Sequence, residues 1–473
     1  MVFSSTVFIF FFLPITLAGY FLFRPIKWKN IWLLMASLFF YFWGGYAFFP
    51  IILYSILLNY VGGRMLEAPR LSEQKRFRKG IFILILILNL LSLGYWKYAK
   101  FIMQTFRSLT GLRFSIPDII LPIGISFFTF QGMSYIIDVY RKEVPVQKNL
   151  LNLGLYIALF PQLIAGPIVR YSDIEKQLSQ RVHSVDNFSL GIRIFTIGLA
   201  KKAIIANSAA ITADAIFDIP PFQNEPSVAW LGIVFYSLQL YFDFSGYSDM
   251  AIGIGKMFGF QFPRNFNYPY ISCSASDLWR RWHISLSVWF RDYVYIPLGG
   301  SRKGNVYLHL LCVFILTGVW HGATWNTVLW GLYWGIIVVA EKLILKNIKC
   351  PIKIPKIISW MLTIFLWLLS MPIFRTDTLL ECLQYFQSMF GFTPHENIGF
   401  SLSYYIHSYE LFIIITGIIA MTPLGKYCYL WLKEKISENV FLVIENTVAI
   451  LLLGISILYV VTGTYNPFIY FQF

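Results

Sequence analysis

A histidine lies between two glycines and two tryptophans in the stretch Thr317–Asn326, whose sequence is TGVWHGATWN. His321 stands inside an apolar run over residues 304–341. A neutral imidazole in a dry setting is suited to remove a proton from a hydroxyl nucleophile, and Trp320 and Trp325 are predicted to line such a pocket. The alternative is a buried histidine that only forms a hydrogen bond to a neighbouring helix. The stretch therefore offers a candidate general base.

The segment Leu278–Lys303 carries an unusual density of charge for an apolar region: LWRRWHISLSVWFRDYVYIPLGGSRK. It contains four arginines, one histidine and an acid, Asp292. Guanidinium groups bind phosphates through paired hydrogen bonds, so Arg280, Arg281 and Arg291 are candidates to hold a phosphate-rich donor. The alternative is an amphipathic helix at the membrane surface whose arginines extend toward water.

The end of the chain, Asn466–Phe473, reads NPFIYFQF and places Tyr470 among aromatic residues. An aromatic ending commonly anchors a chain at the membrane interface. A tyrosine can also carry an acyl group as an ester, provided that a base assists its phenol, whose ordinary pKa is about 10. Both interpretations are open on the residues alone.

The composition defines the class of protein. The 473 residues are 57% hydrophobic and 13% charged, whereas soluble domains are roughly a quarter charged. The net charge of +15 is concentrated in connectors such as Glu67–Lys79 and Glu341–Lys356, as the positive-inside rule requires for cytoplasmic loops. This pattern argues against nucleic-acid binding. The five cysteines show no CxxC spacing, so neither a metal site nor a disulfide framework is indicated.

Apolar runs long enough to cross about 30 Å of hydrocarbon recur along the chain. They lie near 5–23, 31–47, 48–63, 80–97, 118–139, 150–168, 187–205, 227–247, 304–320, 323–341, 357–374, 408–424 and 441–463. They predict an all-α, polytopic membrane protein with about 11–13 transmembrane or re-entrant helices, and the loop charges place the C-terminal tail outside. Residues 118–345 form the predicted core of a single domain over 1–473, because ionisable residues such as Asp243 stand within their apolar sequence. Asp243 is predicted to line a cavity there.

Six stretches in the middle of the chain resemble the membrane-bound O-acyltransferase (MBOAT) family, in the bacterial branch with the alginate and peptidoglycan O-acetylating membrane proteins. They are LPIGISFFTFQGMSYIIDVYR (121–141), FPQLIAGPIVRY (160–171), DFSGYSDMAIGIG (243–255), NFNYPYIS (265–272), WRRWHISLSVWFRDYVYIPLGG (279–300) and VWHGATWN (319–326). The resemblance implies that the essential histidine of the family falls on His321 and a second characteristic histidine on His283. It also implies that Tyr470, in the tail 466–473, is an acyl shuttle. Asn207 departs from the pattern, which has an acid near this position.

The resemblance further implies a ring of helices around a central funnel in the inner membrane of a bacterium. It implies transfer of acetyl from cytoplasmic acetyl-CoA, without a tightly bound cofactor or metal, to an extracytoplasmic polysaccharide such as alginate or peptidoglycan. The expected partners are an external SGNH-type acetyltransferase and membrane lipid, with no nucleic acid. Three alternatives are open: D-alanyl transfer to teichoic acid from a carrier protein, direct acylation of a lipid or protein, and non-catalytic transport of a polymer or lipid.

Overall fold

The computed structural model describes residues 1–68, 74–164, 166–347, 355–392, 400–463 and 465–467. Within these ranges the chain is helical and contains no strand, which confirms the predicted all-α class. The chain divides into two compact units, Met1–Phe195 with Ser248–Pro263 and Thr196–Tyr247 with Arg264–Phe473. The single domain over 1–473 stays a prediction.

The first unit is an assembly of apolar helices in which two buried asparagines pair with each other. Asn59 and Asn89 exchange amide hydrogen bonds of 3.2 Å between two neighbouring helices, because a polar side chain at membrane depth needs a partner within the protein. Helices described in this unit are α1 (Phe8–Leu22), α2 (Ile26–Gly44), α3 (Tyr46–Glu67), α4 (Lys75–Thr110), α5 (Ile125–Arg141), α6 (Leu150–Ala158), α7 (Phe160–Leu163) and α8 (Tyr171–Ser179).

Two long helices, α9 (Val185–Phe217) and α10 (Pro226–Met257), contribute residues to both units. A π-helical turn over Lys201–Ala206 interrupts α9 within the second unit. The other helices described in the second unit are α11 (Ala275–Arg281), α12 (Ile284–Phe290), α13 (Val306–His321), α14 (Trp325–Asn347), α15 (Lys356–Arg375), α16 (Leu379–Met389), α17 (Leu402–Tyr405), α18 (Ser408–Ala420), α19 (Leu424–Lys435) and α20 (Glu438–Thr462).

Seven of the described helices are long and apolar enough to cross a membrane, or up to eight if the bent pair α18–α19 forms one span. The seven are α3, α4, α9, α10, α14, α15 and α20, and the apolar helices α1 and α13 are shorter. This is fewer than the 11–13 transmembrane or re-entrant segments predicted, because some apolar runs divide into short helices. The run at 150–168, for example, breaks at Leu159 between α6 and α7. The multi-pass character is confirmed.

The hairpin of α13 and α14 fixes the end of α13, where His321 lies. A Cβ atom added to Gly318 would approach the Thr327 carbonyl oxygen to 2.3 Å and the Gly331 Cα to 3.0 Å. Only glycine permits such contact between two helix backbones. The amide of Asn326, at the start of α14, donates to the carbonyl of Thr376 at 2.6 Å, just after α15. Three helices therefore hold the position of His321.

Candidate active site

His321 lies at the C-terminal end of α13 within a shell of aromatic rings, and only 7% of it is exposed. The centroid of its imidazole is 5.0 Å from Trp320, 5.2 Å from Trp330 and 5.5 Å from Phe374. Rings packed this closely exclude water, which strengthens electrostatic interactions with any charge that forms there.

The ring of His283 lies 6.4 Å from that of His321, centroid to centroid, and is almost completely buried. It occupies the junction between α11 and α12 in the left-handed region, with φ of 42°. A non-glycine residue adopts this conformation only where the surroundings enforce it. The backbone N–H of Ile284 donates to the Asn265 carbonyl at 2.8 Å, and that of Asn267 donates to the Arg281 carbonyl at 2.9 Å. These bonds hold the junction on both sides of His283.

Asn265 determines which nitrogen of His283 carries the proton. The backbone N–H of Ser285 and its hydroxyl both donate to Asn265 Oδ1, at 3.2 and 2.9 Å. An atom that accepts from a backbone N–H is the carbonyl oxygen of the amide, so His283 Nδ1, 3.2 Å from it, must be the donor. In a neutral His283 the Nε2 atom is then the unprotonated ring nitrogen.

The charge state of His283 follows from its surroundings. The residue lies outside the candidate membrane-spanning helices, and burial, followed by the nearby His321, lowers its pKa well below the usual range. Burial penalises an imidazolium, and a second imidazole disfavours a second proton. His283 is therefore neutral near pH 7.

The sequence singled out both histidines and Trp320, and the structure brings these three together. Trp325 is 52% exposed at the start of α14, and Trp330 of that helix contacts His321. That Trp325 lines this pocket stays a prediction. Tyr470 lies outside the described residues.

Asp243 forms an ion pair between two helices. Its carboxylate lies 2.7 Å from the ammonium of Lys202 on α9, and both side chains are 2% exposed. The next residue of α10, Phe244, contacts the ring of His283 at 4.5 Å. Asp243 thus holds α9 and α10 together, and that it lines a cavity stays a prediction.

The three predicted donor-binding arginines differ in their surroundings. The Nε atom of Arg281 lies 3.0 Å from the Asp277 carboxylate, four residues earlier on α11, and that of Arg291 lies 2.7 Å from Asp292. Arg280 is exposed and forms no ion pair in the part of the chain that the structure describes. That these three arginines bind the donor stays a prediction.

Three residues in contact with the histidines were not among the predicted site residues: Asn265, Trp330 and Phe374. Asn265 opens the stretch NFNYPYIS, which carried part of the family resemblance, so a signal for it existed. The sequence contains no local indication that Phe374, near the end of α15, contacts His321.

A buried pair of imidazoles in an all-helical, multi-pass membrane protein can supply a base for acyl transfer. The chain belongs to the MBOAT, or membrane-bound O-acyltransferase, family, whose model matches residues 139–376. It is an O-acyltransferase.

Relatives match most or all of the chain. The probable alginate O-acetylase AlgI of Pseudomonas syringae pv. tomato is 43% identical over 399 residues, covering 83% of this chain and 76% of the relative. The corresponding protein of Pseudomonas putida is 38% identical over 494 residues and the whole of both chains. The peptidoglycan O-acetyltransferase of Helicobacter pylori is 34% identical over 519 residues, covering 100% of this chain and 98% of the relative.

Proposed function

We propose that this chain passes an acetyl group from cytoplasmic acetyl-CoA across the inner membrane of a bacterium, for O-acetylation of an extracytoplasmic polysaccharide. Two observations support the proposal. Relatives that share its full length are named for the O-acetylation of alginate and of peptidoglycan. The imidazoles of His283 and His321 lie 6.4 Å apart in a buried setting, which suits a base for such a transfer.

The first transfer joins a thioester and a phenol. The phenol oxygen of Tyr470 attacks the thioester carbonyl carbon while His321 takes the phenol proton. The C–S bond then breaks, and the imidazolium returns the proton to the leaving thiolate. The products are coenzyme A with a free thiol and an acetyl ester on Tyr470. Because His283 is neutral, it adds no positive charge that would oppose the imidazolium formed on His321.

Arg280 is the residue we assign to the phosphates of the donor, since Arg281 and Arg291 already have carboxylate partners. In the second transfer a hydroxyl of an external SGNH-type transferase attacks the tyrosyl ester and regenerates the phenol. That transferase then acetylates the polymer. The ring of helices around a central funnel, with the tail on the external face, stays part of this proposal.

The histidine pair is the observation on which the proposed acetyl transfer depends, and the transfer to Tyr470 can be measured directly. Membranes that contain the protein are incubated with radiolabelled acetyl-CoA, and the C-terminal peptide is examined by mass spectrometry for an ester on Tyr470. We expect labelling in the natural chain and none in His321→Ala or Tyr470→Phe. Labelling by a D-alanyl carrier protein but not by acetyl-CoA would contradict the donor, and undiminished polymer acetylation in His321→Ala would indicate transport instead.

A further inference from the structure

The last described residues of the chain lie against α9, within the second unit. The Lys202 ammonium, which is paired with Asp243, also donates a hydrogen bond to the backbone carbonyl of Pro467. A lysine has three N–H donors, so one buried ammonium can serve both partners. Pro467 is thereby tied to the ion pair of Asp243, the residue before Phe244, whose ring contacts His283.

The two preceding residues contact α9 as well. The Asn207 amide donates to Asn466 Oδ1 at 3.3 Å. The Tyr465 hydroxyl donates to the carboxylate of Asp214, which Arg375 also holds at 3.0 Å. Three successive residues of the C-terminal segment therefore meet three side chains of one helix. Residue numbers rise along the C-terminal segment while those of its partners on α9 fall, so the segment approaches Lys202 as it proceeds from 465 to 467.

The π turn explains why these three side chains share one face of α9. The N–H of Asn207 bonds to the carbonyl of Lys202, five residues earlier, so one π turn brings these two residues into line. In a regular α-helix they would be separated by roughly 140°, because each residue advances the helix by about 100°. Asp214 follows Asn207 by about two α-helical turns and returns to the same face. A Cβ atom on Gly246 of α10 would lie 2.7 Å from the Gly198 carbonyl, so the helices pack closely just before this turn.

We infer that Lys202, Asn207 and Asp214 form a docking track for the segment 465–467, and that the Lys202–Asp243 ion pair positions the residues after Pro467 for the reaction at the histidines. Lys202 and Asn207 are thus positioning residues. Three peptide units limit a residue three places beyond Pro467 to about 11 Å from it, Cα to Cα. The track also accounts for Asn207, the departure from the family pattern, because an amide can donate to Asn466.

Docking itself is independent of the proposed acetyl transfer, whereas its effect on catalysis rests on it. The first experiment therefore measures contact alone. All five native cysteines are replaced by serine, and cysteines are introduced as Asn207→Cys with Asn466→Cys in the full chain. Mild oxidation should form an internal disulfide, detected by mass spectrometry of the digested protein. The matched control combines Asn207→Cys with Ser437→Cys, at the other end of α20, and should form none. Absence of the 207–466 disulfide, or equal yield in the control, would overturn the docking track.

The second experiment tests the role of Lys202. Lys202→Met alone leaves the buried Asp243 carboxylate without this partner and endangers folding, so the double variant Lys202→Met with Asp243→Met is compared as well. Gel filtration in detergent verifies folding. We expect the disulfide yield to fall at least fivefold in the double variant, and Lys202→Arg to restore part of it. An unchanged yield in the folded double variant would contradict the inference.

The catalytic consequence has its own readout. In the chain without the introduced cysteines, the double variant Lys202→Met with Asp243→Met should lower kcat for tyrosyl acetylation at least tenfold. Its KM for acetyl-CoA should stay the same, since the donor site is not altered. A raised KM with unchanged kcat would show that Lys202 does not position the tail. If the disulfide forms but no tyrosyl ester is ever found, the docking track stands and the proposed function fails.

Discussion

His283 and His321 are brought together from two different helix junctions, with ring centroids 6.4 Å apart and the ring of Trp320 in contact with both. The pair is buried, and Asn265 fixes the tautomer of one member. A base in such a setting has its hydrogen-bond geometry prepared before the substrate binds.

Replacing His321 by alanine should lower the rate of acetyl transfer by about 10²–10⁴-fold, the usual contribution of a positioned general base. His309→Ala is the matched control: His309 lies near the start of the same helix, where its ring nitrogen contacts the Gly300 carbonyl at 2.9 Å. The measurement is the initial rate of acetyl transfer from labelled acetyl-CoA in membranes with equal amounts of each variant. Equal loss in both variants would indicate a structural role for His321.

The pH profile reports on His283. Because burial and His321 lower its pKa well below the usual range, it takes up a proton only at pH values well under about 6.5. Its protonation should therefore leave the single-turnover rate unaffected between pH 8 and 6.5 and reduce it only in more acidic buffer. If the natural chain shows a transition near pH 6.5 that His283→Gln lacks, the imidazole titrates normally and this expectation is wrong.

Asn265→Asp should shift the acidic fall in the single-turnover rate to a higher pH. A carboxylate 3.2 Å from Nδ1 favours the imidazolium, so the pKa of His283 should rise. The acidic fall in rate should then begin at a higher pH than in the natural chain, with KM for acetyl-CoA little changed. A loss of activity that is uniform at every pH would show that Asn265 only supports the fold.

The effects of replacing Lys202 and Asp243 on thermal stability should depend strongly on each other. Removing one partner leaves a buried charge uncompensated, which costs about 3–5 kcal/mol, and both side chains are 2% exposed. Lys202→Met and Asp243→Met should each lower the thermal midpoint of the detergent-solubilised protein more than the double variant does. Additive losses would show that the two charges do not depend on each other.

The backbone contact between α13 and α14 predicts a severe effect from one methyl group. A Cβ at Gly318 would meet the Thr327 carbonyl oxygen at 2.3 Å, so Gly318→Ala must force the helices apart and displace His321. Gly454→Ala is the control, because a Cβ atom there has no neighbour within 4 Å among the described residues. We expect Gly318→Ala to lose thermal stability and acetyl transfer, while Gly454→Ala retains both.

Several features of the fold and site were predictable because they are local. Long apolar runs predicted helices, and the Trp-His-Gly setting singled out His321. The pairing of Arg281 with Asp277 was equally readable, since four residues separate them on one helix.

The remaining features depend on contacts between distant parts of the chain. Nothing near Asp243 indicates that Lys202 neutralises it, because the pairing depends on how α9 and α10 pack. The π turn is likewise invisible in the sequence KKAIIA, whose residues are all compatible with an ordinary α-helix. The contact of Trp330 with His321 depends in the same way on how α13 and α14 pack.

The π turn in α9 amounts to one residue inserted into an α-helix. Deleting a single residue among Ala203–Ala206 would let the helix regain its regular winding without a break in the chain. Asn207 would then follow Lys202 by four positions, which a regular α-helix separates by only about 40°, so the two side chains would still share one face. The binding register of the chain terminus therefore depends on the π winding of the extra residue as much as on the chemistry of the side chains.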